Sequence, residues 1–319
     1  MTEIIRLPQI EEILKTIDPL ILIEEGFVAY SQGKVVVPPV GEMIFQDPPG
    51  DCHIKYGFIK GGDYYVVKIA QGFYENPQKG LPSINGLNIL FSQKTGEVLC
   101  VLLDEGHLTN VRTAAAGAVV AKYMAPTKVN RIGILGYGIQ GKMQLKFLKD
   151  VVQCRDAIIW GRRETGLVKY KEDMIDSGFS IETTLDIHEI TDTCNLIITC
   201  TPSKVPLIKA EQVKKGTHIT AMGSDTPEKQ ELDTKVLRIA DRVVVDSIPQ
   251  AASRGECFRA MTDGKITKDD MVELGAIISN KNLRRQTDTE ITVADLTGVA
   301  VQDIQISKAV YEGIKAQKV

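Results

Sequence analysis

The run Val129-Asn130-Arg131-Ile132-Gly133-Ile134-Leu135-Gly136-Tyr137-Gly138-Ile139-Gln140-Gly141 reads as an apolar strand that ends in three glycines spaced G-x-G-x-x-G. The residues that follow, Lys142 to Val152, read as a helix. In that setting each glycine has its own task. Gly136 makes the tight turn, Gly138 lets the backbone approach a pyrophosphate, and Gly141 lets helix and strand pack closely. The helix N-terminus then presents unpaired N–H groups to the anion. The spacing alone is weak evidence; the strand before it and the helix after it are what dinucleotide binding requires. A purely structural glycine turn is the alternative.

Outward from this turn the rhythm is β-α-β-α. Apolar runs at Arg131–Leu135, Ala157–Trp160, Leu196–Cys200, His218–Met222, Arg242–Val245 and Ile291–Val293 are mostly separated by helical segments. Short continuous apolar strands alternating with helices indicate a parallel sheet covered on both faces. Before residue 127 the pattern is different. Asp18-Pro19 is an N-cap and N1 pair opening a helix through about Gln32, with Leu20, Ile23, Phe27 and Tyr30 on one stripe. His53 to Ile59, Tyr64 to Phe73 and Leu87 to Ser92 read as strands, and Lys94-Thr95-Gly96 turns the last into Glu97 to Leu103. An alanine-rich helix begins at Thr109 and ends before Pro126. Val299 to Lys315 reads as a C-terminal helix. The expected fold class is α/β: a Rossmann dinucleotide-binding domain over residues 128–298, inserted in an α+β domain over 1–127 that residues 299–319 rejoin.

The strand after the glycine turn ends Ile159-Trp160-Gly161-Arg162-Arg163. An acid at this place, about 20 residues past the loop, would bind the ribose 2′-hydroxyl of NAD. Arginines instead suit the 2′-phosphate of NADP, because a guanidinium contacts phosphate bidentately. NADPH is therefore favoured, with NADH use open. A solvated pair of arginines starting a helix is the alternative.

Bulk properties exclude other classes. The 319 residues are 43% hydrophobic and 25% charged, with a net charge of −3 and no long basic block, so a footprint for nucleic acid is missing. Six cysteines and four histidines are scattered without zinc-ligand spacing, which argues against a metal site. Cys194 and Cys200, which bracket an apolar run, read as buried thiols. No secretory pattern opens the chain, and no apolar run reaches the roughly 18 residues of a membrane span. The expectation is a soluble, cytoplasmic protein.

Several segments together resemble the ornithine cyclodeaminase/mu-crystallin family. They are Val67-Lys68-Ile69, Leu108-Thr109-Asn110-Val111-Arg112-Thr113-Ala114-Ala115, the glycine loop and Thr199-Cys200-Thr201-Pro202-Ser203. Met222-Gly223-Ser224-Asp225-Thr226-Pro227-Glu228-Lys229-Gln230-Glu231-Leu232 and Thr297-Gly298-Val299-Ala300-Val301-Gln302-Asp303 complete the set. The resemblance implies a homodimer whose N-terminal part and last helix form the substrate and dimerisation domain. It implies chemistry that interconverts an α-amino acid and its imine by hydride transfer with a nicotinamide.

By residue, Lys68 matches the family's active-site lysine, Arg112 the carboxylate-binding arginine, and Asp225 the acid that handles protons at the substrate amine. Thr113, Gly136, Gly138, Ile139, Gln140, Gly141, Arg162, Arg163, Thr201, Pro202, Met222 and Gly298 are the expected cofactor contacts. The residue chemistry agrees, since a forked guanidinium suits an α-carboxylate and a lysine in an apolar strand can have a lowered pKa. Read without the resemblance, Lys68 equally fits a lysine alternating outward from a half-buried strand. Likewise Arg112 fits a surface residue of a first helical turn, and Asp225 a cap for the Glu228–Ile239 region.

Two features depart from the cyclodeaminases. Their Gly-Asp-Cys-Pro-Gly-Lys sequence is here Gly223-Ser224-Asp225-Thr226-Pro227-Glu228-Lys229, and the second carboxylate-binding arginine of the ornithine enzymes is missing. Only Lys55 is available in that region, because no arginine lies between Arg6 and Arg112. The reading that results is an NAD(P)H-dependent reductase of a cyclic α-imino acid, with 1-pyrroline-2-carboxylate giving L-proline. Ornithine cyclodeaminase, an alanine-type dehydrogenase and a non-catalytic crystallin-like binding protein are the alternatives.

Overall fold

In the computed structural model, residues 2–73 and 75–317 are described. The chain divides into two compact units, one of residues up to Thr113 plus Val299 onward, the other Ala114–Gly298.

The first unit is built on a mixed sheet. Its strands are β1 (Glu3–Arg6), β2 (Val35–Val36), β3 (Gly41–Gln46), β4 (Pro49–Ile59), β5 (Tyr64–Gly72), β6 (Ile84–Ser92) and β7 (Val98–Leu103). They lie in the order β1-β7-β6-β5-β4-β2, with β3 also pairing β4. Only β1 and β7 are parallel; the other pairs are antiparallel. The helix Pro19–Ser31 starts where the Asp18 side chain accepts the Leu20 N–H at 2.9 Å, the capping expected from Asp18-Pro19. The C-terminal helix, Ala300–Ala316, buries most of its first half against that helix and against β4 and β5.

The second unit holds an eight-stranded sheet, parallel throughout. Its strands are β8 (Ile132–Leu135), β9 (Asp156–Trp160), β10 (Ser180–Thr184), β11 (Leu196–Thr199), β12 (His218–Ala221), β13 (Arg242–Val245), β14 (Met271–Glu273) and β15 (Thr292–Asp295). The order β10-β9-β8-β11-β12-β15-β13-β14 reverses direction between β8 and β11. In open α/β sheets such a switch point opens a crevice at the strands' carboxyl ends. Both faces are apolar. Ile132 and Ile134 pack with Leu145 and Leu148 on one side, while Ile197, Ile219 and Val243 share a core on the other.

Some boundaries move from those read in the sequence. The alanine-rich helix starts at His107 rather than Thr109, because the Asp104 side chain accepts the Leu108 N–H at 2.9 Å. The division between units falls inside this helix, at Thr113/Ala114, rather than at 127/128. Its second half belongs to the Rossmann core, where Ala121 packs with Ile132 and Ile134. The helix after the glycine turn is Ile139–Leu148, three residues earlier than Lys142, because Gly138 itself is its N-cap. All six cysteines are free; Cys194 is buried and Cys200 is partly so. Among the described residues no helix is long and apolar enough to cross a membrane.

Candidate active site

The glycine turn sits at the β8 end of the switch point. Gly136 has φ +122°, a conformation closed to most L side chains, and its N–H donates to the Trp160 carbonyl at 3.0 Å. A Cβ on Gly141 would lie 2.1 Å from the Gly136 carbonyl oxygen, whereas one on Gly138 would meet nothing within 4 Å. The turn is thus tight underneath and open above, and no side chain caps the helix at Gly138. The first-turn N–H groups of a helix so placed suit a phosphate.

Beside the turn lies a cavity of about 290 Å³ lined by Gly136, Gly138, Gly161, Arg162, Thr201 and Pro202 among others. These residues fit a dinucleotide. Arg162 is exposed and lines the cavity; Arg163 is exposed, caps the helix Glu164–Asp173 with its backbone, and does not line it. The two arginines that the sequence pairs are therefore separated. The opposite wall is held by Glu231, fully buried. Its carboxylate accepts from Thr201 N–H and Oγ1 at 2.7 Å each, from Thr199 Oγ1 at 2.7 Å and from Gly223 N–H at 2.9 Å. Thus one side chain ties the ends of β11 and β12 together. Met222 is fixed by its N–H to Thr199 O at 2.9 Å, and Gly298 N–H donates to Asp246 Oδ2 at 2.6 Å.

Asp225 follows β12 and caps no helix. Residues 224–231 have no helical structure, and the helix there, Thr234–Ile239, is capped by Asp233. Asp225 pairs instead with Lys229, Nζ to Oδ1 2.7 Å. Arg254 Nη1 donates to the Asp225 carbonyl at 3.2 Å.

The first unit contains a separate polar cluster inside its core. Lys55, Lys68 and Asn88 are direct cross-strand neighbours on β4, β5 and β6, so all three project from one face. Lys55 is 5%, Lys68 2% and Arg112 5% exposed, which removes the outward-lysine and surface-arginine alternatives. Facing them from the C-terminal helix is Asp303, its Oδ2 3.1 Å from Lys68 Nζ and its Oδ1 3.1 Å from Arg112 Nε. Gln302 Oε1 accepts from Arg112 Nη1 at 3.2 Å. Asn88 Nδ2 donates to Asp104 Oδ1 at 3.3 Å.

Burial and the nearby Arg112 guanidinium lower the Lys68 ammonium to about 8, against the opposing pull of Asp303 and Asp104. Burial pushes the Asp104 carboxyl up to about 6. Two buried polar atoms of this cluster, Asn88 Oδ1 and Gln302 Nε2, have no hydrogen-bond partner among the described residues. Groups left so can exchange hydrogen bonds with a ligand or with water. Asp303, Gln302, Asn88 and Asp104 were not singled out as site residues from the sequence. Gln302 and Asp303 were visible only as the last two residues of the matching segment Thr297–Asp303.

The glycine turn, the switch point and the parallel sheet define a Rossmann-type dinucleotide-binding protein. Residues 2–318 match the ornithine cyclodeaminase/mu-crystallin family, and the chain belongs to it. A Sinorhizobium fredii protein named as an uncharacterized cyclodeaminase is 37% identical over 91% of this chain and 88% of its own. An archaeal alanine dehydrogenase dimer with bound NAD superposes with a TM-score of 0.89 at 34% identity, covering 100% of this chain and 97% of that one. The 1-pyrroline-2-carboxylate reductase of Thermococcus litoralis, in complex with NADH and L-proline, gives a TM-score of 0.92 at 26% identity, covering 100% and 99%.

Proposed function

We propose that this chain is an NAD(P)H-dependent reductase of α-imino acids, acting on 1-pyrroline-2-carboxylate to give L-proline. One observation carries the reading: Lys55, Lys68 and Arg112 are buried in one cluster with Asp104 and Asp303, where Asn88 Oδ1 and Gln302 Nε2 have no hydrogen-bond partner among the described residues. A buried cluster of cations is suited to an anionic ligand. A small carboxylate supplies it, held by Arg112 and Lys55. Lys68, with an ammonium near 8, exchanges its proton close to neutral pH and is suited to protonate an imine nitrogen. Asp225 is the second candidate for that proton.

The reduced nicotinamide, when bound, supplies the hydride that a protonated imine carbon accepts. Gly136, Gly138, Ile139, Gln140 and Gly141 hold its pyrophosphate in this reading. Thr113, Thr201, Pro202, Met222 and Gly298 contact the remainder. Arg162 and Arg163 favour the 2′-phosphate of NADP(H). The first unit serves as substrate and dimerisation domain of a homodimer. Its strand β3, with Met43, Ile44 and Phe45 each at least 40% exposed, offers an apolar surface for a second copy. Ornithine cyclodeamination is the second reading, favoured by the retained Asp225 and its pairing with Lys229.

The test is to supply 1-pyrroline-2-carboxylate with NADPH or NADH, and separately L-ornithine with NAD⁺, and to assay proline and ammonia. Proline formed with stoichiometric NADPH oxidation is expected. Ammonia from ornithine without net cofactor change, and no imine reduction, replaces the first reading by the second.

A further inference from the structure

We propose that Asp303 is a positioning residue: it fixes Lys68 and Arg112 in one arrangement and keeps Lys68 in its protonated form for the reaction. The inference rests on the reductase reading and goes beyond it, because Asp303 is given no role there. Three elements of the first unit converge on it. Lys68 comes from β5, Arg112 from the helix His107–Met124 and Asp303 from the first turn of the C-terminal helix. Each carboxylate oxygen meets one cation at 3.1 Å, and the carboxylate is 2% exposed, so water competes little for either contact.

Without a carboxylate at this point the two cations would face each other and Lys55, the cross-strand neighbour of Lys68, inside a low-dielectric core. Like charges so placed repel, and the lysine would lose its proton. Asp303 also holds the guanidinium on its Nε edge, while Gln302 holds Nη1. The orientation of the remaining donors is therefore set by two adjacent residues of one helical turn. The charged groups around Lys68 are Lys55 on β4, Arg112 on its helix, Asp303 on the C-terminal helix and Asp104 after β7; Asn88 on β6 is neutral. Asp104 is the weaker partner, since Asn88 and the Leu108 N–H already occupy its oxygens. Asp303 is thus the main source of negative charge at the ammonium.

Asp303→Asn and Asp303→Glu test this with two readouts. In the first, the pH dependence of kcat and KM for imine reduction is measured. The asparagine variant should lose activity on the alkaline side about one pH unit or more below the wild type, with kcat near neutrality reduced about tenfold or more. KM should change far less, because an asparagine amide oxygen can still accept from Arg112 Nε while Gln302 holds Nη1. The glutamate variant keeps the charge and should keep the alkaline limb close to its wild-type position. In the second readout, Lys68 is titrated directly by NMR in 13C-lysine-labelled protein, with Lys68→Arg for assignment. This requires no substrate, so a wrong choice of imino acid does not mask the result. Titration of Lys68 at lower pH in the asparagine variant supports the proposal. An unchanged Lys68 titration, or a kcat loss with the alkaline limb in place, overturns it and leaves Asp303 a structural ion bridge. If the asparagine variant does not fold, the glutamate variant decides: an alkaline limb or Lys68 titration displaced to lower pH in it overturns the proposal, and an unmoved one supports it.

Discussion

Lys229 Nζ lies 2.7 Å from Asp225 Oδ1, four residues away in sequence although no helix joins the two. The pair is made by a loop that Glu231 and Arg254 hold from either side. Asp225→Asn should lower imine reduction but leave measurable NADPH oxidation, and any ammonia release from ornithine should disappear. Lys229→Met should cost less, and the double variant should be no worse than Asp225→Asn alone, since residues acting as a unit are not additive. Values of kcat/KM for the four proteins check this; multiplicative losses would show that the ion pair has no joint role.

Arg112→Lys keeps the charge but cannot serve Asp303, Gln302 and a substrate carboxylate together. One or more charge-assisted hydrogen bonds are lost, each worth about 1.5–3 kcal/mol, so kcat/KM should fall roughly 10- to 150-fold. NADPH affinity, measured by fluorescence quenching, should be unchanged. Near-normal kcat/KM on an α-imino acid would remove Arg112 from carboxylate binding.

The sequence is most informative where the constraint is local. The glycine turn is legible because strand, turn and helix are contiguous, and Asp18-Pro19 because a cap acts within three residues. Edge strands are not. Ser180–Thr184 is largely polar and Met271–Glu273 has three residues, and both lie at the margins of the sheet, where one neighbour suffices. Glu3–Arg6 gains its strand character only from β7, nearly a hundred residues later. The same limit applies to the site. Lys68 and Arg112 stand out as motif residues, but that one carboxylate joins them depends on a contact across 191 residues. Glu231 was visible as part of a motif, but its four hydrogen bonds to the ends of β11 and β12 appear only in three dimensions.

Stability should fall with rising pH through one buried acid. Asp295, at the end of β15, is fully buried beside Asp246 and Glu256, and burial pushes its carboxyl up to about 7. A carboxyl raised in the folded state binds its proton more tightly there than when unfolded. Its contribution is therefore fully present below the unfolded carboxylate range and lost as pH rises through about 7. Asp295→Asn stays neutral and can still accept the Cys257 N–H that Oδ2 now takes at 2.8 Å. The fall in Tm from about pH 6 to about pH 8 should be smaller in the variant than in the wild type. Equal slopes would place the pH dependence elsewhere.

Variants at Arg162 and Gly161 should separate coenzyme choice from coenzyme binding. Arg162 lines the cavity beside the glycine turn, whereas Arg163 does not, so the discrimination expected of the pair should fall mainly on Arg162. Arg162→Asp should weaken NADPH by roughly 10- to 150-fold, the loss of one charge-assisted contact of about 1.5–3 kcal/mol, and weaken NADH little. Arg163→Asp should have a smaller effect on the ratio. Gly161 acts differently. A Cβ there would lie 2.1 Å from the Tyr137 ring, so Gly161→Ala must displace either the ring inside the glycine turn or the loop carrying Arg162. That variant should weaken NADPH and NADH together. Dissociation constants of both coenzymes for the three variants decide the matter: an unchanged NADPH-to-NADH ratio in Arg162→Asp would mean that the arginine is only a solvated charge at the end of β9.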